Sequence, residues 1–174
     1  MAETIEVLIP EEEVDKRISE IGEEISKAYA GRTIHMICIL KGGAMFMCEL
    51  AKRINLPVTM DFMSVSSYGD DTKSSGIVRI SKDLDEKLEG KDVLIVEDII
   101  DSGRTLSYLV EVLKQRGPKS IEICTLLDKP SRREKMVKVD YSCFSIPNEF
   151  VVGYGLDYAQ KYRNLPYIGV VRFD

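Results

Sequence analysis

Val93-Leu94-Ile95-Val96 is the segment that most constrains the fold. It is aliphatic, mostly β-branched and free of polar alternation, so it reads as a strand covered on both faces. Strands of that kind belong to parallel sheets, whose long crossover connections lay helices on each side. The residues that follow agree. Glu97 to Gly103 predicts a turn; Leu106, Leu109, Val110 and Leu113 then fall at i, i+3, i+4 and i+7, one face of a helix, until Gly117-Pro118 stops it.

The same alternation runs through the chain. Ile5 to Ile9 predicts a short strand, and Pro10 followed by three glutamates makes a helix entrance with acids at the positive end of the dipole. Val14, Ile18, Ile21, Ile25 and Tyr29 recur at helical spacing, and Gly31 closes that helix. Thr33 to Leu40 reads as a buried strand; Lys41-Gly42-Gly43 leads into a helix from Ala44 to Arg53. Val58 to Ser67 is a further strand, Tyr68 to Gly76 a polar loop, and Ile77 to Ser81 the strand returning from it. Ser120 to Leu127 is another strand, a basic-rich connection follows, and Phe150-Val151-Val152 begins the last tract. Strands alternating with helices predict an α/β fold around a mainly parallel sheet. A length of 174 residues without linker or repeat fits one domain, residues 1–174. Chemistry in such a sheet is expected in the loops beyond the carboxyl ends of its strands.

Composition removes several functions. With 29 Asp+Glu against 24 Lys+Arg, the net charge of −5 argues against a general nucleic-acid binder, which needs surplus cations to displace counterions from phosphates. The opening MAETIEVLIPEEE lacks the basic start of a secretory or transit signal, and no apolar run approaches the ~18 residues of a membrane span. Cys38, Cys48, Cys124 and Cys143 form no C-x-x-C pair and lie in apolar stretches, so all four are expected as buried, reduced thiols. The single histidine, His35, leaves no His-rich metal cluster or Ser-His-Asp triad available. By elimination the setting is cytoplasmic.

The segment after the buried strand carries the chemistry. Asp101-Ser102-Gly103-Arg104-Thr105 stands at a helix entrance, offering backbone N–H groups, two hydroxyls and a glycine that permits close approach. That is a phosphate cradle, and it is not a Walker A loop, because G-x-x-x-x-G-K-[ST] is absent. Glu97 and Asp98, just before it, suit sugar hydroxyls or Mg²⁺, since carboxylates accept hydrogen bonds and are hard oxygen ligands. The bland reading is a capped helix preceded by solvated acids.

An apolar strand, two acids, two apolar residues and D-S-G-R-T together resemble the phosphoribosyl-pyrophosphate motif of type I phosphoribosyltransferases. Further segments resemble the hypoxanthine-guanine branch of that family. Leu40-Lys41-Gly42-Gly43 is similar to its first loop, where the peptide before the lysine can be cis, and Ser67-Tyr68 to the start of its mobile loop. Leu127-Asp128-Lys129 is similar to its base-recognition region, Phe150 to Tyr158 to its base-stacking segment, and Arg163 falls where the family has an arginine. The resemblance covers residues 5 to 173 in register. It implies the type I phosphoribosyltransferase fold: a mainly parallel sheet flanked by helices, with a small hood from the terminal segments.

The resemblance also implies an activity and roles. A 5-phosphoribosyl group would pass from phosphoribosyl pyrophosphate to N9 of hypoxanthine, and of guanine, forming IMP or GMP and releasing pyrophosphate. Asp101, Ser102, Gly103, Arg104 and Thr105 would bind the 5′-phosphate, and Lys41, Gly42 and Arg163 the pyrophosphate. Lys129 would donate to the purine O6, Phe150 would stack on the base, and Val151 and Asp157 would address its far edge. Glu97, Asp98 and Asp157 would hold Mg²⁺ or the ribose hydroxyls; Asp101 would accept the proton at N7. Ser67 and Tyr68 would open a lid that excludes water. The implied assembly is a homodimer or homotetramer, with no nucleic acid and no membrane as partner. Arg132, Arg133, Lys135 and Lys138 read as a solvated face or subunit contact, with Arg133 near the pyrophosphate side. Two other readings stay open: a regulator that kept the fold and lost catalysis, and a transferase preferring another base, such as xanthine.

Overall fold

A computed structural model describes residues 2–67 and 78–174. The elements in order are β1 (Glu3–Ile9), α1 (Glu11–Ala28), β2 (Ile34–Leu40), α2 (Ala44–Lys52), β3 (Val58–Ser67), β4 (Val78–Lys82) and β5 (Asp92–Ile100). They continue with α3 (Arg104–Lys114), β6 (Ser120–Asp128), β7 (Tyr141–Ser145), β8 (Val151–Val152) and β9 (Ile168–Phe173). The predicted loop from Tyr68 to Gly76, and Ile77, lie outside the described residues.

Six strands form one sheet in the order β4-β3-β2-β5-β6-β7, parallel except for the antiparallel β3–β4 pair. The apolar runs of β2 and β5 are continuous because both faces are covered. Met36, Cys38, Leu94 and Val96 point into a cluster with Val14, Ile18, Ile21 and Ile25 of α1 and Phe46, Met47 and Leu50 of α2. Ile37, Ile39, Val93 and Ile95 point the other way, against Leu106, Leu109 and Leu113 of α3. The expected α/β fold is thus present, with two helices on one face and one on the other. Its hood is present too: β1, β9 and β8 make a small antiparallel sheet from the two ends of the chain. Val151, Tyr154, Leu156, Ile168 and Val170 of the hood region share the α1–α2 apolar cluster.

Four expectations need correction. The turn set at Glu97 to Gly103 is shorter, because β5 continues to Ile100 by pairing with β6 as far as Ile100–Asp128. The two acids therefore sit on the strand itself. Cys48 is exposed, since α2 buries Phe46, Met47 and Leu50 and turns position 48 outward. The other three cysteines are buried and free, and burial pushes the thiols of Cys38 and Cys143 up to about 12. Strand β7 arises between the basic-rich connection and Phe150, where no element was expected, and it pairs in parallel with β6. Arg133 is not on a solvated face, since its side chain is largely withdrawn from water against Asp128, whereas Arg132 is exposed as expected.

Candidate active site

The sheet order decides where ligands can enter. From β2 the chain crosses to β3 on one side, while from β5 it crosses to β6 on the other. The loops after β2 and β5 therefore part, and at such a switch point an open α/β sheet has its crevice. Beside that crevice a cleft of about 240 Å³ is lined by Glu97, Asp98, Ile99, Ile100, Asp101, Ser102, Gly103, Thr105 and Leu106.

The loop after β5 is built as a cradle. Gly103 adopts φ 82°, a left-handed conformation that glycine takes without steric cost, and this turns the chain into α3. Ser102 Oγ accepts a hydrogen bond from the Arg104 amide at 3.3 Å. The first amides of α3 have no partner within the helix, so Asp101 to Thr105 present donors at the positive end of its dipole.

The loop after β2 comes within contact of this one. The Leu40–Lys41 peptide is cis, as anticipated. At Gly42 a Cβ would overlap the Asp98 carboxylate, and at Gly155 a Cβ would overlap the Gly42 carbonyl. Three segments far apart in sequence thus meet, backbone to side chain at Gly42 and backbone to backbone at Gly155, and only glycine fits there. Burial raises the Asp98 carboxyl to about 6, opposed by the Ile99 amide at 2.7 Å and by Arg163, and reinforced by Asp157. Glu97 is pushed well up by burial first and by Asp98 second. Carboxylates held at such a cost in desolvation are common where function needs them.

Arg163 and Lys41 are brought together by a residue that the sequence did not reveal. Gln160 Oε1 accepts from Lys41 Nζ at 3.4 Å and from Arg163 Nη2 at 3.1 Å. Arg163 also donates through Nη1 to the Gly155 carbonyl at 2.7 Å and stands 3.4 Å from Asp157 Oδ1. Asp157 Oδ2 in turn accepts the Gln160 amide at 2.9 Å. Ala159, Gln160 and Tyr162 all have positive φ, so the chain doubles back tightly enough to close this knot. No motif marks Gln160; only the turn puts it between the two cations.

On the far side, Lys129 is buried, with its amide donating to the Ile100 carbonyl at 3.0 Å. Phe150 is 52% exposed and meets the edge of Tyr158 at 5.7 Å between centroids, leaving its ring accessible to a flat partner. Val151 is buried in β8. Arg132 Nε donates to Asp101 Oδ1 at 3.1 Å, and Arg133 donates to the Asp128 carboxylate and to the Asp101 carbonyl at 3.2 Å. Of the two residues read as a lid, Ser67 ends β3 and pairs with Val78, and Tyr68 lies outside the described residues.

Among the described residues, no group of three or more His, Cys, Asp or Glu forms a metal cage. The donors that converge, Asp98 and Asp157, still fit a hard dication such as Mg²⁺. It prefers oxygen, keeps several waters, and is commonly held by one or two carboxylates plus substrate phosphates.

The model of the phosphoribosyl transferase domain matches residues 10–159. The chain belongs to the phosphoribosyltransferase family. It is 57% identical to the hypoxanthine-guanine phosphoribosyltransferase of Bacillus subtilis, over 95% of this chain and 92% of that one. It is also 57% identical over 95% of its length to the bifunctional protein TilS/HprT of Listeria innocua, of which it spans only 26%. A crystal structure of a hypoxanthine phosphoribosyltransferase from Staphylococcus aureus superposes with a TM-score of 0.93 at 50% identity, covering 96% of this chain and 91% of that one. The phosphoribosyltransferase fold expected from the motifs is therefore the fold observed.

Proposed function

We propose that this phosphoribosyltransferase transfers the 5-phosphoribosyl group of phosphoribosyl pyrophosphate to N9 of hypoxanthine or guanine, forming IMP or GMP. The observation that carries this reading is the meeting, at the switch point, of a phosphate cradle, a Lys–Arg pair, adjacent carboxylates and a buried lysine. The names of the relatives in Bacillus subtilis and Staphylococcus aureus point the same way.

In this reading Asp101 to Thr105 hold the 5′-phosphate, while Lys41, the Gly42 amide and Arg163 meet the pyrophosphate and offset its charge as it leaves. The C1′–oxygen bond to pyrophosphate breaks with positive charge building on the sugar, and the C1′–N9 bond forms. Asp98 and Asp157, with Glu97 behind them, would hold Mg²⁺, which neutralises pyrophosphate oxygens when bound. Asp101 takes the proton from N7; its second oxygen remains for that task while Oδ1 faces Arg132. Phe150 stacks on the purine, and the backbone of Val151 and Asp157 reads its far edge. Lys129, an ammonium donor, matches an O6 acceptor and opposes an adenine amino group.

The reading extends to a single domain, a cytoplasmic setting in which the free thiols stay reduced, and a self-associated homodimer or homotetramer, which sedimentation measures. Among the described residues no helix is long and apolar enough to cross a membrane. The test of function is a panel of hypoxanthine, guanine, xanthine and adenine with phosphoribosyl pyrophosphate and Mg²⁺, following nucleotide. Hypoxanthine and guanine are expected to turn over. No product with any base would leave the regulator reading, and turnover with adenine alone would refute the role of Lys129.

A further inference from the structure

Arg133 joins the two halves of the site. Strand β6 ends at Asp128, just before Lys129, and its backbone is held on one side by the Ile146 amide, which donates to the Asp128 carbonyl at 2.9 Å. From Lys129 the chain makes a short 3₁₀ turn, Pro130–Arg132, and comes back across the phosphate loop. There Arg133 donates to the Asp128 carboxylate with Nη2 and to the Asp101 carbonyl with Nε at 3.2 Å. The next two amides, of Glu134 and Lys135, both donate to the Ser102 carbonyl, at 2.8 and 3.0 Å. Gly103 permits this approach, since a Cβ there would stand 2.6 Å from the Lys135 carbonyl.

The two arginines differ in kind. The Arg132–Asp101 pair keeps side-chain exposures of 53% and 46%, and a pair so well solvated holds little in place. The Arg133–Asp128 pair keeps only 17% and 19%, so both charges are largely withdrawn from water and neither is easily left alone. A planar guanidinium presents separate nitrogens to a carboxylate and a carbonyl at once; an ammonium on a flexible stem does not reproduce that fork.

We propose that Arg133 is a positioning residue that sets Lys129 in register with the phosphate loop, acting through Asp128 and the Asp101 carbonyl. The inference rests on the roles given above to Lys129 and to Asp101–Thr105. Purine and sugar phosphate are held at the ends of neighbouring strands, yet N9 must meet C1′ within a fraction of an ångström. The phosphate loop has further anchors in α3 and in the Glu134 and Lys135 amides. Loosening Arg133 therefore falls mainly on the purine side.

The test uses the full chain with Arg133→Lys, Asp128→Asn and the double variant, with initial rates measured against hypoxanthine and phosphoribosyl pyrophosphate. The expected result is a KM for hypoxanthine raised about tenfold in each single variant, with KM for phosphoribosyl pyrophosphate within about twofold. The double variant should be no worse than the poorer single one, because both changes cut the same bridge. An unchanged KM for hypoxanthine, equal rises in both KM values, or additive losses would overturn the proposal. A variant that merely loses folded fraction shows lower turnover at unchanged KM values, which also counts against it; thermal melting identifies that case. Failure of the unaltered protein to form any nucleotide would instead strike the reading of the site itself.

Discussion

Asp101 shows how much one residue is asked to do. Its backbone opens the phosphate loop, its carbonyl anchors Arg133, and its carboxylate, facing Arg132 through one oxygen, is the proposed acceptor at N7. Asp101→Ala keeps the backbone part and removes the carboxylate. Turnover should then fall by about 10²–10⁴, the usual worth of a positioned general base, while affinity for IMP measured by calorimetry changes far less. An unchanged rate would remove Asp101 from the proton transfer. Asp101 was legible in the sequence because its motif is local: strand, acid, hydroxyl, glycine and helix lie within a few residues. Gln160 was not, because the cations it joins include Lys41, 119 positions away.

At the level of elements, the sheet's lower edge depends on a carboxylate outside the active site. Asp61 of β3 is buried and accepts the amides of Phe62, Asp85 and Glu86, which ties the stretch after β4 to the strand. Burial alone would raise its pKa, but those three amides outweigh it and hold the carboxyl below 3.8. The folded value is thus lower than the unfolded one, so this contribution is present above the unfolded pKa and is lost as pH falls through the folded value. Asp61→Asn should cost about 1–3 kcal/mol at pH 7 by urea denaturation, with the gap to the unaltered protein closing as pH falls through the lowered folded value. A gap that stays constant with pH would mean that the charge of Asp61 plays no part. Helices α1 and α3 were readable from periodicity, and strands β2 and β5 from their unbroken apolar runs. Strand β7 was not, and β5 ran longer than expected, because cross-strand pairing with β6 extends both.

For the whole molecule, the acidic balance acquires a meaning. A net charge of −5 argues against a general nucleic-acid binder, yet part of it is concentrated at the site: Glu97, Asp98, Asp101 and Asp157 lie at the cleft or beside it. Positive potential is local, from Lys41, Arg163 and the start of α3. Any ligand that engages this cluster only in the folded chain must stabilise it, by about 2.7 kcal/mol at a hundredfold excess over its Kd. IMP should raise the thermal midpoint clearly and AMP much less, because AMP sets an amino group against Lys129. Equal shifts with both nucleotides would show that the purine edge is not read.

By itself, the sequence determined the fold class, the phosphate cradle and the identity of the residues that bear charge, because these follow from short-range periodicity and from motifs a few residues long. Only the tertiary structure decided that Gly42 lies against Asp98 and Gly155, that Gln160 holds Lys41 beside Arg163, and that Arg133 ties the lysine loop to the phosphate loop. Those contacts depend on strand order and on left-handed turns, which bring distant segments together through the packing of both faces of one sheet. Local patterning carries no record of that order.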